Sequence, residues 1–193
     1  MIVVSDTSPI LYLILIDQVE LLPRFYNQII IPDIVSEEMQ ASGAPSPLKT
    51  WIAAPPPWLQ IQQTPPMNQP DLKRLHRGEQ AAILLAQSIS ADLLIVDDLA
   101  ARQAAQKQGL KIIGLLGILG EAGRRNWIDF PTTLEELLKM TNFRASPQLV
   151  QALLARFDRP SDQTCYDDSE LPSLSKPNSS GDGPTHLFSL NPQ

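Results

Sequence analysis

Short apolar runs alternate with longer helix-forming segments along residues 1–157, and this order predicts the fold. The apolar runs predict buried strands at 2–5, 29–31, 93–96 and 111–113, with 59–61 as a candidate for one more. The longer segments predict helices at 7–16, 18–25, 33–41, 79–87, 99–108, 115–125, 133–140 and 148–157. Strands separated by helices indicate a mainly parallel sheet that is covered on both faces. The expected fold class is therefore α/β, as a three-layer α/β/α sandwich.

Two segments depart from this alternation. Residues 51–70 are rich in proline, so most of that stretch is expected to be a surface excursion from the domain. From Asp158 onward Pro, Ser, Asp, Asn and Gly dominate, and such a composition buries too little apolar surface to offset the entropy of ordering. The expected organisation is one domain at 1–157 followed by a disordered acidic tail at 158–193.

Charge and cysteine content narrow the class of protein. The net charge is −6, but residues 158–193 hold six acids and two bases, so the tail carries −4 and the remainder only −2. A nucleic-acid substrate is therefore not excluded. No apolar stretch approaches the ~20 residues that span a bilayer, and no basic region precedes the first apolar run. The one cysteine, Cys165, excludes an intramolecular disulfide. A cytoplasmic location without membrane contact is expected.

Acidic residues fall where the predicted elements end or begin. Asp6 follows the first strand, and Asp97 and Asp98 follow the strand at 93–96, so all three are expected at the carboxyl edge where α/β sheets bind ligands. Glu38 lies on the helix at 33–41, and Glu79 opens the helix at 79–87. Converging carboxylates repel one another unless they are protonated or neutralised by a cation. Oxygen ligands without accompanying His or Cys suit Mg²⁺ or Mn²⁺.

Each acid also has a structural alternative. Asp6 could cap the helix that follows it, although neighbouring hydroxyls could do the same. Glu38 could belong to a solvated helix face. Glu79 at a helix N-terminus complements the helix dipole, and one of Asp97 and Asp98 could cap the helix that starts at residue 99.

The acids lie within segments that resemble those of PIN-domain nucleases. The opening VSDTSP at 4–9, then IPDIVSEEM at 31–39, GEQAAI at 78–83 and LIVDD at 94–98 are similar to that family's motifs in order and spacing. In this correspondence Asp6, Glu38, Glu79 and Asp98 match the family's acids. The usual Thr-x-Asp at the last acid is Val-Asp-Asp here, so Asp97 could share the role of Asp98. The resemblance covers about residues 1–140 and is closest to a poorly characterised prokaryotic subgroup.

This resemblance implies an Mg²⁺- or Mn²⁺-dependent endoribonuclease that hydrolyses RNA phosphodiester bonds. Asp6 and Asp98 would be direct metal ligands, and Glu38 and Glu79 would hold a second ion or orient its waters. Ser8 would contact a metal-bound water or a phosphate oxygen. Arg102 would face the phosphate or, alternatively, be a solvated helix residue.

The same resemblance suggests partners. Many small family members are VapC-like toxins that a cognate antitoxin holds inactive, so a protein antitoxin and a homodimer are candidate assemblies beside the RNA substrate. The alternative from another class is a PIN-like RNA-binding or regulatory protein without turnover.

Overall fold

The computed structural model describes residues 1–157, and the predicted tail lies outside the described residues. The strands are β1 (Val3–Ser5), β2 (Ile29–Pro32), β3 (Leu59–Gln62), β4 (Leu93–Ile95) and β5 (Ile112–Ile113). The first helices are α1 (Thr7–Leu15), α2 (Leu21–Tyr26), α3 (Asp33–Gln40) and α4 (Ser46–Ala53). After a 3₁₀ turn at Pro70–Leu72 come α5 (Arg77–Ser88), α6 (Leu99–Lys107), α7 (Leu115–Arg124), α8 (Phe130–Met140) and α9 (Pro147–Leu154).

All neighbouring strands of the sheet run parallel, in the order β3-β2-β1-β4-β5. The central strand β1 pairs with β2 through Val4 and Ile30 and with β4 through Ser5 and Ile95. The order reverses at β1, because the chain first adds strands on one side and then on the other. Such a reversal is the point in open α/β sheets where a crevice opens beyond the carboxyl ends of the strands.

Alternate residues of the strands face two separate cores, as the period of a β-strand requires. Val3, Ile31 and Ile95 pack in one core with buried residues of α1 to α4, α7 and α8. Val4 and Leu94 pack in the other, mainly with α5 and α6. Helices therefore cover both faces of the sheet, and the predicted three-layer α/β/α fold is confirmed.

The largest difference from the predicted elements is α4, which the sequence reading missed. Its buried residues Leu48 and Ile52 are one helical turn apart and face the core. The proline-rich stretch from residue 51 therefore begins inside this helix, and its candidate strand at 59–61 is β3. Residues 54–58 and 63–69 form the irregular surface excursion that was expected of the rest. The helix predicted from residue 133 starts earlier, at Phe130, because the Asp129 side chain caps it by accepting from the Thr132 N–H.

The segment after α8 folds back onto the domain. Phe157 stacks on Phe130, with ring centroids 4.2 Å apart, and Phe143 meets the ring of Tyr12 on α1 edge to face at 5.2 Å. Leu153 and Leu154 of α9 also pack against the core. None of the helices in residues 1–157 combines the length and the apolar character needed to cross a membrane.

Candidate active site

Two of the predicted acids lie at the ends of neighbouring strands. The Asp6 N–H donates to the Ile95 carbonyl at 3.0 Å, so Asp6 continues the ladder between β1 and β4 by one residue. Asp98 comes three residues after Ile95, at the start of α6. Asp6 is 4% exposed, whereas Asp98 is exposed to solvent. The structure thus places both residues at the carboxyl edge of the sheet, where the order of strands reverses.

Glu38 is held between α1 and α5. Its Oε2 accepts from the Thr7 hydroxyl at 3.1 Å, and its Oε1 accepts from the Gly78 N–H at 2.8 Å. The absence of a side chain at Gly78 permits this approach, because a Cβ there would overlap the Glu38 carboxylate. Glu38 is therefore not part of a solvated helix face; it is fixed to the elements that carry Asp6 and Glu79.

Glu79 lies in the first turn of α5 and is 8% exposed. Its Oε2 accepts from the His76 N–H at 3.0 Å, which is the acidic half of a capping box. The structural alternative for Glu79 is thus realised, but this bond uses only one carboxylate oxygen. His76 itself is the N-cap residue of α5.

Asp98 likewise has a capping role. Its side chain accepts from the Ala101 N–H at 2.9 Å through Oδ1 and so caps α6. Asp98 is exposed, and the cap uses one oxygen. Capping and ligand binding are compatible for this residue, since a carboxylate can accept several bonds.

Two of the acids at this edge, Asp6 and Glu79, have pKa values that are raised by burial and by their acidic neighbours. Burial raises the pKa of Asp6 to about 7, the Thr7 and Ser8 N–H groups oppose that rise, and the charges of Glu79 and Glu38 add to it. Burial also raises the pKa of Glu79, against the His76 N–H, and the charges of Asp98 and Glu38 contribute further. Like charges act in this way only at short range. Glu79 is electrostatically central, because it interacts with each of the other three acids.

Asp97 faces different partners. Its Oδ1 accepts from the Leu115 N–H at 2.9 Å and so ties the end of β4 to the start of α7. Burial raises the pKa of Asp97, while the Leu115 N–H and the Arg102 charge lower it. Oδ2 of Asp97 is buried and has no hydrogen-bond partner within the described residues. These contacts favour Asp98 over Asp97 as the acid that belongs to the cluster.

Arg102 is half-buried and bends back over the end of β4. Its guanidinium donates to the Val96 carbonyl at 3.3 Å. Both Arg102 and Asp97 occupy the space above Gly114, where a Cβ would collide with the guanidinium and lie 2.8 Å from Asp97 Oδ1. The Arg102 side chain is therefore held at the end of β4 by this contact, and a role in facing a phosphate stays a prediction.

A cleft of about 810 Å³ opens beside the acids. Of the predicted site residues, Ser8, Glu79, Asp97, Asp98 and Arg102 line it, whereas Asp6 and Glu38 do not. A second part of the lining, here called the aromatic wall, consists of Tyr12, Asn142, Phe143, Arg144 and Leu149. The sequence reading singled out none of this wall. The sequence signal for this wall is the aromatic and basic pair Phe143 and Arg144. That pair points to a binding surface only when α9 is known to fold back onto the domain.

The donor set fits a hard divalent cation, although the acids do not enclose one by themselves. Within residues 1–157, no group of three or more His, Cys, Asp or Glu side chains is arranged to hold a metal ion. Mg²⁺ keeps several waters and is commonly bound through one or two carboxylates and substrate phosphates. The mutual repulsion of Asp6, Glu79 and Asp98 is the property that such a cation would neutralise.

The comparisons with known proteins bear on the fold and the family. Residues 2–159 match the family model described as DUF3368: PIN domain. No curated protein matches the chain. Among solved structures it is similar to a PilT N-terminus domain protein from the archaeon Sulfolobus solfataricus P2, with 18% identity, 75% of this chain and 100% of that chain covered, and a TM-score of 0.44. That likeness is too distant to bear on function. Because the family model spans most of the sequence, the chain belongs to the PIN-domain family.

Proposed function

We propose that this chain is a metal-dependent ribonuclease that hydrolyses RNA phosphodiester bonds with Mg²⁺ or Mn²⁺. PIN domains are in general metal-dependent nucleases, and membership of that family supports the reaction class. The observation that carries the proposal is the group of four carboxylates, Asp6, Glu38, Glu79 and Asp98, at one sheet edge, where burial raises the pKa of Asp6 and Glu79 and the neighbouring acid charges add to the rise. Concentrated negative charge repels RNA phosphates, and a bound cation would neutralise it.

Asp6, Glu79 and Asp98 would hold the cation in this proposal. A divalent ion bound there would lower the pKa of a water molecule and stabilise negative charge on the phosphate. Glu38 positions the group, since its bonds to Thr7 and Gly78 tie α1, α3 and α5 together. Asp97 acts through the backbone, by fixing the start of α7 beside the cleft.

The cationic contribution to phosphate binding comes from Arg102. The Arg102 side chain lines the same cleft as Glu79 and Asp98, and its position is fixed by the Val96 carbonyl. A guanidinium donates in a planar fork that matches two phosphate oxygens. Ser8, also in the cleft, would donate its hydroxyl to a phosphate oxygen or a water molecule.

A non-catalytic RNA-binding or regulatory role is the second candidate. The observation that favours it is that Glu38, Glu79 and Asp98 each have a structural hydrogen bond, so their presence has an explanation without a metal. Under this role the chain binds RNA without cleaving it and without a divalent ion.

The test is cleavage of a labelled single-stranded RNA by the purified chain, with Mg²⁺ or Mn²⁺ and then with a chelator. Asp98→Asn is the informative variant, because asparagine keeps the oxygen that caps α6 but loses the charge. We expect at least a hundredfold loss of kcat, the scale of removing a charged group from a reaction centre. Asp71→Asn, on the exposed 3₁₀ turn, is the matched control and should retain activity.

Two results would change the proposal. Equal cleavage by the wild type and Asp98→Asn would identify a contaminating nuclease or another site. Binding of RNA without cleavage under every metal condition would support the non-catalytic role. A toxin role, a protein antitoxin and a homodimer stay predictions from the resemblance, and a cytoplasmic location stays a prediction from the composition.

A further inference from the structure

We infer that the cleft beside the acids is a binding site for one unpaired nucleotide of RNA, whose base packs on Tyr12 and Phe143. The inference rests on the proposed function for its choice of ligand, and it adds the form of the substrate and the residues that recognise it. The 810 Å³ of the cleft falls within the range of roughly 300–1,000 Å³ for ligand pockets. It therefore has room for a nucleotide, whereas a base held in a duplex cannot enter such a pocket.

The aromatic wall of the cleft offers two rings on which a base could stack. Tyr12 and Phe143 meet edge to face at 5.2 Å with an interplanar angle of 86°. The Tyr12 hydroxyl donates to Asn142 Oδ1 at 3.1 Å, which fixes the phenol ring. Leu149, 45% exposed, lies at the same wall. Splayed bases of single-stranded RNA bind by stacking on such rings.

Two arginines give the cleft its charge complementarity to RNA. Arg102 lies on the side of β4 and α6, and Arg144 lies on the loop before α9. A base between them would have its flanking phosphates within the field of both guanidinium groups, which attract the backbone independently of sequence. Glu79 and Asp98 line the same cleft, so in this proposal a nucleotide held here presents its backbone to them.

The segment that completes this wall is anchored to the domain. Phe143 packs against Tyr12, and α9 is followed by Phe157, which stacks on Phe130 at 4.2 Å. Residues 142–154 are thus held to the domain by aromatic contacts at Phe143 and, after α9, at Phe157. The return of this segment to α1 brings Phe143 and Arg144 to the cleft that Tyr12 and Arg102 also line.

The experiment measures binding in a chelator, so that no cleavage occurs. The probe is a short fluorescein-labelled single-stranded oligoribonucleotide, and its binding to the full chain is followed by anisotropy. Tyr12→Leu removes the ring and should weaken binding roughly tenfold, within the range for the loss of one base-stacking contact. Tyr12→Phe is the matched control, since it keeps the ring and loses only the bond to Asn142.

Arg144→Gln tests the contribution of positive charge to RNA binding without disturbing the core, because Arg144 is exposed. It should weaken binding and reduce the slope of log Kd against log salt by about 1, as expected for one phosphate contact. Arg156→Gln, an equally exposed arginine that does not line the cleft, should leave both quantities unchanged. Replacing one nucleoside of the probe by an abasic residue at successive positions should reproduce the Tyr12→Leu loss at one position.

The outcomes separate this inference from the proposed function. Wild-type affinity in both Tyr12→Leu and Arg144→Gln, together with metal-dependent cleavage, would overturn the nucleotide site and leave the nuclease intact. Weakened binding in both variants of a chain that never cleaves RNA would support the site and remove the nuclease. Equal effects of Arg144→Gln and Arg156→Gln would show only general charge attraction and would also overturn the site.

Discussion

Asp6→Asn should stabilise the metal-free protein at alkaline pH, although it alters a proposed ligand. Asp6 is 4% exposed, and this burial raises its pKa to about 7, with the charges of Glu79 and Glu38 adding to the rise. At pH 8 the folded wild type must therefore keep a charge that is poorly solvated and repelled. Asparagine has nearly the same volume and no charge, so the variant avoids this cost.

The sign and size follow from linkage. The folded pKa of Asp6 is raised from 3.8 to about 7, so between those values the folded state binds more protons than the unfolded state. The contribution of Asp6 to the stability of the wild type is therefore greatest below pH 4, and this contribution falls as the pH rises toward 7. At 1.36 kcal/mol per pH unit, the fall between pH 5 and pH 8 amounts to about 3 kcal/mol. Asp6→Asn has no carboxyl group at this position and therefore lacks this fall in stability.

The assay is urea unfolding of both proteins in a chelator at pH 5, 6, 7 and 8, with Asp71→Asn as an exposed control. The difference in unfolding free energy between Asp6→Asn and the wild type should grow across this range and level off above pH 7. Divalent metal at pH 8 should then narrow the difference, because an ion that binds only the native wild-type site stabilises it by mass action. A difference that is constant with pH would refute the burial and repulsion assigned to Asp6.

Three further predictions concern the positioning of Glu38, metal binding and the domain boundary. Gly78→Ala should displace the Glu38 carboxylate and lower kcat at least tenfold. Gly120→Ala is the control, because its added Cβ meets nothing within 4 Å; it should leave kcat unchanged and raise the melting temperature. Millimolar Mn²⁺ should raise the melting temperature of the wild type, and Asp98→Asn should reduce that shift; no shift in the wild type would contradict strong metal binding. A chain ending at Phe157 should retain the melting temperature of the full chain, while one ending at residue 145 should lose several degrees because the Phe130–Phe157 stack is removed.

Periodicity was sufficient for the sheet and most of the helices. Strands such as 29–31 and 93–96 are short apolar runs between clear helix starts, so local pattern and tertiary environment agree there. The helix α4 was missed because prolines at 45, 47 and 55–57 mark its surroundings as irregular, although a proline in the first turn is compatible with a helix. The helical signal in this segment was the spacing of Leu48 and Ile52. Two apolar residues in so short a segment did not outweigh the surrounding prolines.

The strand ends could be placed from the sequence, but the cleft could not. Asp6 and Asp98 follow parallel strands, and that alone predicts their shared edge. The aromatic wall depends on how residues 142–154 return to α1. Tyr12 and Asn142, which are hydrogen-bonded in this wall, lie 130 residues apart in the sequence. No local pattern encodes such a contact. The partner of Asp97 was equally out of reach, since its bond to Leu115 joins the end of β4 to the start of a distant helix, α7.

The structural and chemical explanations of the acids are complementary. Glu79 and Asp98 each give one oxygen to a helix N-terminus, and Glu38 is held by a hydroxyl and a backbone N–H. Such bonds stabilise the charged form, which opposes the repulsion within the cluster. In Asp6 and Glu79 burial and repulsion prevail over such bonds, because the pKa of Asp6 is raised to about 7 and that of Glu79 is raised too. The hydrogen bonds therefore fix the direction of Glu38, Glu79 and Asp98, and a cation bound among them would offset the burial and repulsion at Asp6.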